Sequence, residues 1–312
     1  MYSVSSVAEK QSKFTLWLKE LRIQFCTASA LPVIIGTALA YKQTGNFDLV
    51  LSILALLAAV SIHLGANIAN DYFDYRTGND NLNENPTPFS GGSRMIQNNL
   101  LSPKEILTGS LTFLIIGAVL GIAILIMTKS IIVLALGLAG LLGGFFYTAP
   151  PLKLGYRTAG EIAIGFLFGI LPVYGAYYIQ TGTIDFVPLF PAMIVAVLIF
   201  LVIFANEFPD FQADKAVNKK TLVVTLGIKK ASSLYNILII LLWVFVLFYS
   251  LVILPPLAGI PFLLIVFTLS WRCKKNNDPE KLAQNGYSDL SKSTILLHTI
   301  GGAALFAAVL LA

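Results

Sequence analysis

Cysteine is almost missing from this chain. The two present, Cys26 and Cys273, are too few and too poorly spaced for a thiolate metal site or a disulfide framework, and neither is assigned a role. Charge is scarce as well: Asp, Glu, Lys and Arg supply 12% of the 312 residues, against roughly 25% in soluble globular domains. Residues 1–15 are polar and lack the short apolar stretch and small-residue cleavage site of a secretory signal, so the first apolar segment is expected to be retained.

Hydrophobic residues are abundant instead, at 56%. The apolar runs are long enough to cross a bilayer as helices, which predicts an all-α polytopic membrane protein with about nine transmembrane helices around a central cavity. The expected spans are 16–40, 49–73, 104–127, 131–149, 159–180, 186–208, 231–253, 255–272 and 291–312, within a single integral-membrane domain covering 1–312. The fourth is short and Gly-rich, and Pro255-Pro256 joins the seventh and eighth in a tight hairpin.

Basic residues set the expected direction, because Lys and Arg accumulate on cytoplasmic loops. With the N-terminus inside, 19 of the 21 basic residues, from Lys10 to Lys292, fall on the cytoplasmic side, and only Lys42 and Lys129 fall outside. A missed or extra span would invert every later loop and destroy this asymmetry. The net charge of +5 therefore follows from topology and calls for no nucleic-acid partner.

Two acidic clusters stand out at the ends of apolar runs: Asn67, Asn70, Asp71, Asp74 and Asp80, then Asn206, Asp210 and Asp214. A carboxylate placed in a membrane helix costs roughly 2.5–3.5 kcal/mol on insertion scales, so such residues ask for a functional reason. Positions 67, 70/71 and 74 share one helical face, as do 206, 210 and 214. Such oxygen-rich faces suit Mg2+, which is held by one or two carboxylates plus waters and phosphate oxygens. Asn and Asp at helix ends also serve as plain caps. Two spaced clusters on one membrane side favour the metal reading.

The Asn70/Asp74 pair recurs 136 residues later as Asn206/Asp210, in spans expected to run in the same direction. This echo suggests two related four-helix halves plus a ninth helix. The clusters would then face each other across the cavity, able to hold Mg2+ around one diphosphate.

The stretches Asn70-Asp71-Tyr72-Phe73-Asp74 with Asp80, and Asn206-Glu207-Phe208-Pro209-Asp210 with Asp214, resemble the two aspartate-rich motifs of the UbiA superfamily of intramembrane prenyltransferases. The resemblance implies a Mg2+-dependent enzyme in which Asp74 and Asp210 are catalytic, a polyprenyl diphosphate is the donor, and an electron-rich aromatic acceptor attacks the ionising allylic chain. It also implies a lateral opening to lipid and a cap built from the loops after the second and sixth spans. Arg22 sits where the family carries a diphosphate-contacting Arg, or else anchors the first span. Tyr147 and Lys153 resemble the family's Tyr and Lys after the fourth span, which implies a diphosphate-binding role for both. Arg94, in the loop Pro88 to Arg94, is assigned to the diphosphate or to an acceptor carboxylate, with a plain surface arginine as the alternative. The run Lys215 to Lys220 mixes phosphate contacts with ordinary topology signals, with Lys215 and Lys220 taken as the phosphate-binding candidates. His63 reads as a packing residue or a base, and Glu161 as an acceptor-side acid or a helix N-terminal charge.

The gap from Asp74 to Asp80, together with Ser90-Gly91-Gly92-Ser93-Arg94 and Lys220-Thr221-Leu222, is most similar to the menaquinone branch of that family. That likeness implies 1,4-dihydroxy-2-naphthoate as acceptor and a demethylmenaquinone precursor, carbon dioxide and diphosphate as products, at the cytoplasmic membrane. The second motif departs from the branch, with Glu207-Phe208-Pro209 where paired Asn and an Arg are usual. Homogentisate, 4-hydroxybenzoate or a glycerol phosphate remain alternative acceptors, and an ion-coupled transporter the alternative of another class.

Overall fold

A computed structural model describes residues 12–84, 86–284 and 286–312; Lys10 and the rest of the polar N-terminal stretch up to residue 11 lie outside the described residues. Among the described residues every regular element is helical. The longer helices are α1 (Lys13–Glu20), α2 (Thr27–Thr44), α3 (Leu49–Thr77), α4 (Pro103–Thr128) and α5 (Ile131–Phe146). They continue as α6 (Gly160–Thr181), α7 (Leu189–Ala216), α8 (Ile228–Ile253), α9 (Pro256–Asn276) and α10 (Asp289–Leu311).

Seven of these helices are long and apolar enough to cross a membrane, and Lys13–Phe25 with α2 forms an eighth candidate bent by 50°. Helix α5 has 16 residues. At 1.5 Å per residue it reaches about 24 Å, short of a hydrocarbon core about 30 Å thick. Each of the nine expected spans thus has a helical counterpart, and the chain is an integral membrane protein.

Local chemistry explains where the helices begin and stop. Ser102 and Glu105 cap each other's backbone at the start of α4, where Pro103 occupies a position that needs no amide donor. Asp48 accepts from the Leu51 amide to open α3, and Gly78, with φ of 80°, closes it.

Three boundaries differ from the sequence expectation. The first span, expected as continuous over 16–40, is broken because Arg22 takes a left-handed backbone with φ of 46°. Helix α3 runs past 73 to Thr77 and α7 past 208 to Ala216, so the whole second motif and the first motif from Asn67 to Asp74 lie within continuous helix, while Asp80 follows on the short turn Asn79–Leu82. Polarity marks the water boundary, and these backbones stay helical beyond it.

Pro209 sits inside α7 without ending it. Proline cannot donate to the carbonyl four residues earlier. Here that carbonyl, on Ala205, accepts a hydrogen bond from Ser291 Oγ on α10 at 3.1 Å, so the group freed by Pro209 is satisfied across the helix interface.

Helix α7 is the axis of the bundle, with 61% of its most apolar window buried. Its Ile194, Leu198, Leu201 and Phe204 join Ile35 of α2, Tyr235 and Ile239 of α8, Phe262 of α9 and Leu297 of α10 in the main core. Large apolar side chains on the outside, such as Ile115 and Ile126 of α4, Ile131 of α5 and Val252 of α8, are exposed from the chain itself. A bilayer covers such side chains at no hydrophobic cost.

Candidate functional site

The two acidic helix ends meet at one end of the bundle and line one cavity. Its polar wall comes from Asn67, Asn70 and Asp74 of α3, Asp80 of the short turn Asn79–Leu82, and Asn206, Asp210 and Asp214 of α7. Arg22, from the left-handed break after α1, and Tyr147, after α5, complete it.

A lysine bridges the clusters. Lys219 Nζ donates to Asp74 Oδ2 at 3.1 Å and lies 3.5 Å from Asp214 Oδ1. Burial works against its ammonium, but the carboxylates of Asp214 and Asp74 overcome that and raise its pKa well above the usual lysine value. Its place depends on one turn: Asn218 adopts φ of 59°, and the Lys219 amide folds back onto the Asp214 carbonyl at 2.9 Å.

Each acid has its own set of donors. Asp74 Oδ1 accepts from the Tyr156 hydroxyl at 2.5 Å, and its Oδ2 from Asn70 Nδ2 at 3.2 Å. Asp210 Oδ1 accepts from Asn83 Nδ2 at 2.8 Å, and Oδ2 from the Gly91 amide at 3.2 Å. Asp214 Oδ1 accepts from Asn79 Nδ2 at 2.9 Å. Residues 79, 83 and 91 all follow α3, so the loop after it reaches across to α7 and ties the motifs together.

That loop is the lid of the cavity. Arg22 Nη2 donates to the Phe89 carbonyl at 3.2 Å, the Ser93 amide to Asp71 Oδ2 at 2.8 Å, and the Ser93 hydroxyl to the Glu20 carboxylate. Arg94 donates to the backbone carbonyls of Asp80 and Asn83, the latter at 3.2 Å. Gly92 has φ of 73°, and a Cβ there would lie 2.5 Å from Asp80 Oδ2. Only glycine allows this approach.

The electrostatics suit a divalent cation. Burial, and then the nearby charges of Asp74 and Asp71, push the Asp80 carboxyl up to about 8. The buried Oδ1 of Asn206, on the cavity wall, has no hydrogen-bond partner. Hard oxygen donors with spare lone pairs fit Mg2+. Among the described residues no three His, Cys, Asp or Glu side chains already form a metal cage. The donor set is of the kind in which waters and substrate phosphate oxygens complete the coordination.

The structure brings together most, but not all, of the sequence candidates. Asp71 is buried behind the lid rather than lining the cavity. Arg94 braces the lid. Lys153 lies over the Tyr156 ring, its Nζ 5.3 Å from the centroid, outside the cavity wall. Lys215 and Lys220 are exposed, and Lys215 stacks on Phe211. Glu161 is buried and accepts from the Leu222 amide at 2.7 Å, which pins the segment after Lys219. His63 Nδ1 meets Ser29 Oγ at 3.1 Å, and its ring contacts Phe168 edge to face.

Asn79, Asn83, Tyr156, Glu20 and Glu207 are among the contributors that escape the sequence reading, as does the singling out of Lys219 within its basic run. The basic run from Lys215 to Lys220 signals a candidate without saying which lysine turns inward. Glu207 lines the cavity, its buried carboxyl beside that of Glu161. Cys26 and Cys273 are both free thiols.

Comparison with known proteins agrees with this picture. The family model described as the UbiA prenyltransferase family matches residues 29–288. A 1,4-dihydroxy-2-naphthoate octaprenyltransferase of Mycobacterium tuberculosis is 30% identical over 226 residues, covering 72% of this chain and 74% of that protein. A 2-carboxy-1,4-naphthoquinone phytyltransferase of Synechocystis is 28% identical over 82% of this chain and 80% of its own length. A UbiA homologue from Archaeoglobus fulgidus, solved with DMAPP and Mg2+, shares the fold with a TM-score of 0.66, at 17% identity over 94% of this chain and 98% of the other.

Proposed function

The chain belongs to the UbiA prenyltransferase family, and from that premise we propose that it transfers a polyprenyl group from a polyprenyl diphosphate to 1,4-dihydroxy-2-naphthoate. The observation that carries this reading is the single cavity in which the acids of both motifs face one another around Lys219. The naphthoate acceptor is supported by the relatives named for that substrate.

Asp74, Asp80, Asp210 and Asp214, with Asn67, Asn70 and Asn206, would hold Mg2+ beside the diphosphate, and Asp71 would support the set from behind the lid. When bound, Mg2+ supplies positive charge to offset what builds on the leaving oxygens. Lys219 and Arg22 line the same space and present cationic donors to those oxygens. The lid keeps water from the allylic chain as its carbon–oxygen bond breaks and the electron pair leaves with diphosphate. Phe89 and Phe168 line the cavity, where aromatic rings would favour positive charge on the prenyl carbons. The ring of the acceptor attacks the first prenyl carbon. Loss of its carboxylate as carbon dioxide returns the electrons to the ring and gives the demethylmenaquinone precursor.

The basic-residue asymmetry supports a site facing the cytoplasm. A competition assay with purified protein tests the acceptor: dihydroxynaphthoate is expected to be prenylated faster than homogentisate or 4-hydroxybenzoate. Preference for either rival sinks this assignment and leaves the reaction class intact.

The lid makes its own prediction. Gly92→Ala introduces strain of about 1–3 kcal/mol at a positive φ and collides with Asp80. The expected result is a donor KM raised by about tenfold. Steady-state kinetics with an unchanged donor KM would contradict the role given to the lid.

A further inference from the structure

Two contacts at a buried serine fix which nitrogen of His63 carries its proton. His63 Nδ1, on α3, lies 3.1 Å from Ser29 Oγ, and the same hydroxyl lies 3.0 Å from the Cys26 carbonyl. A serine has one proton to give, and a carbonyl can only accept. Both contacts are hydrogen bonds only if Ser29 donates to Cys26 and His63 donates through Nδ1 to Ser29. The neutral imidazole then has its lone pair on Nε2. Among the described residues Nε2 has no hydrogen-bond partner, and it is not sealed off from the cavity that His63 lines.

The ring is held on two sides. Ser29, only 3% exposed, fixes one edge, and Phe168 of α6 packs edge to face with centroids 4.9 Å apart. Packing and a hydrogen bond together keep the free nitrogen at a set point.

Its place along the helix gives that nitrogen its surroundings. His63 stands four residues before Asn67, about 6 Å along α3 at 1.5 Å per residue, and so one turn deeper than the groups assigned to the diphosphate. The cavity wall there includes Ala66 of α3 and, one to two turns before Asn206 on α7, Ile199, Val202 and Ile203. His63 is the polar side chain in this apolar stretch. A flat aromatic ring suits such a wall, and a hydroxyl on its rim would give up water without return unless Nε2 receives it.

The two hydroxyls of 1,4-dihydroxy-2-naphthoate are not equivalent. The 1-hydroxyl adjoins the carboxylate and can donate to it within the molecule, whereas the 4-hydroxyl has no internal acceptor. We propose that His63 Nε2 accepts the hydrogen bond of the 4-hydroxyl, and that Ser29, by taking the Nδ1 proton, is the positioning residue that makes Nε2 an acceptor. The inference rests on the acceptor reading above. It adds the group that orients the ring one turn below the diphosphate and selects for the second hydroxyl.

The test compares 1,4-dihydroxy-2-naphthoate with 1-hydroxy-2-naphthoate, which keeps the carboxylate and the hydroxyl beside it and lacks the other. Binding of each is measured to protein loaded with Mg2+ and an unreactive prenyl thiodiphosphate. Wild type is expected to bind the dihydroxy compound about tenfold or more tightly than the monohydroxy one. His63→Phe keeps a ring against Phe168 and is expected to bind the two within about twofold of each other. His63→Gln, whose side-chain oxygen can accept, should keep part of the preference. Ser29→Ala leaves Nδ1 without its partner and should cut the preference by about threefold or more.

Donor binding should change by less than about twofold in all three variants, which separates a role at the acceptor from general damage. Should His63→Phe fail to fold, His63→Gln and Ser29→Ala carry the comparison. A preference that survives undiminished in the variants, or a wild type that binds both compounds equally, overturns the proposal and leaves the acceptor reading standing. A wild type that binds neither and prenylates another acceptor overturns that reading and this proposal with it.

Discussion

Replacing Asp74 or Asp210 by asparagine is expected to lower kcat by about a hundredfold or more, since each substitution removes a negative charge from the proposed Mg2+ and diphosphate site. Asparagine preserves shape and one acceptor oxygen, so Tyr156 or Asn70 can still donate at position 74, and Asn83 or the Gly91 amide at position 210. The loss should therefore show in turnover more than in helix content. Prenyl transfer measured in detergent with saturating Mg2+ checks it, together with circular dichroism on the same samples. Variants as active as wild type would remove the acids from the reaction.

Lys219→Met is the second large effect. Among the described residues the Lys219 ammonium is the one cation within 4 Å of both Asp74 and Asp214, and it is mostly shielded from solvent. Removing one partner from a buried charge group leaves the others uncompensated, at a cost of about 3 kcal/mol or more. Thermal unfolding in chelator is expected to show a lowered Tm. Added Mg2+ should restore part of it, because a divalent cation beside the same carboxylates replaces the missing charge. Activity should stay low even then, since the donor that Lys219 offers to diphosphate is gone. A Tm unchanged in chelator would mean that the carboxylates carry little charge in the resting protein.

Much of the site was legible in the sequence because helical spacing is a rigid rule. Asn67, Asn70 and Asp74 lie one turn apart and line the cavity, as do Asn206, Asp210 and Asp214. Asp71 shows the limit of that rule, because one residue of rotation turns it from the cavity toward the lid. The lysines show another. Lys215, Lys219 and Lys220 are equivalent by composition, yet the turn at Asn218 sends Lys219 inward and leaves its neighbours exposed. Asn79 and Asn83 were invisible because their partners are more than a hundred residues away in α7.

The fold was readable for a related reason. Nine apolar runs predict nine helices, and the strongest signals, such as α4 and α7, needed no tertiary information. Boundaries were less visible where polar residues continue a helix, as at Asp74 to Thr77 and Asp210 to Ala216. The break at Arg22 depends on one backbone angle that no hydropathy window reports.

Binding of an unreactive prenyl thiodiphosphate to wild type, Asp74→Asn, Asp210→Asn and the double variant, with Mg2+ and in chelator, tests most directly whether the two motifs grip one diphosphate. With Mg2+ the two substitutions should be non-additive by about 1 kcal/mol or more, and in chelator that coupling should vanish. Strictly additive losses, or equally tight binding without the metal, would contradict a shared site.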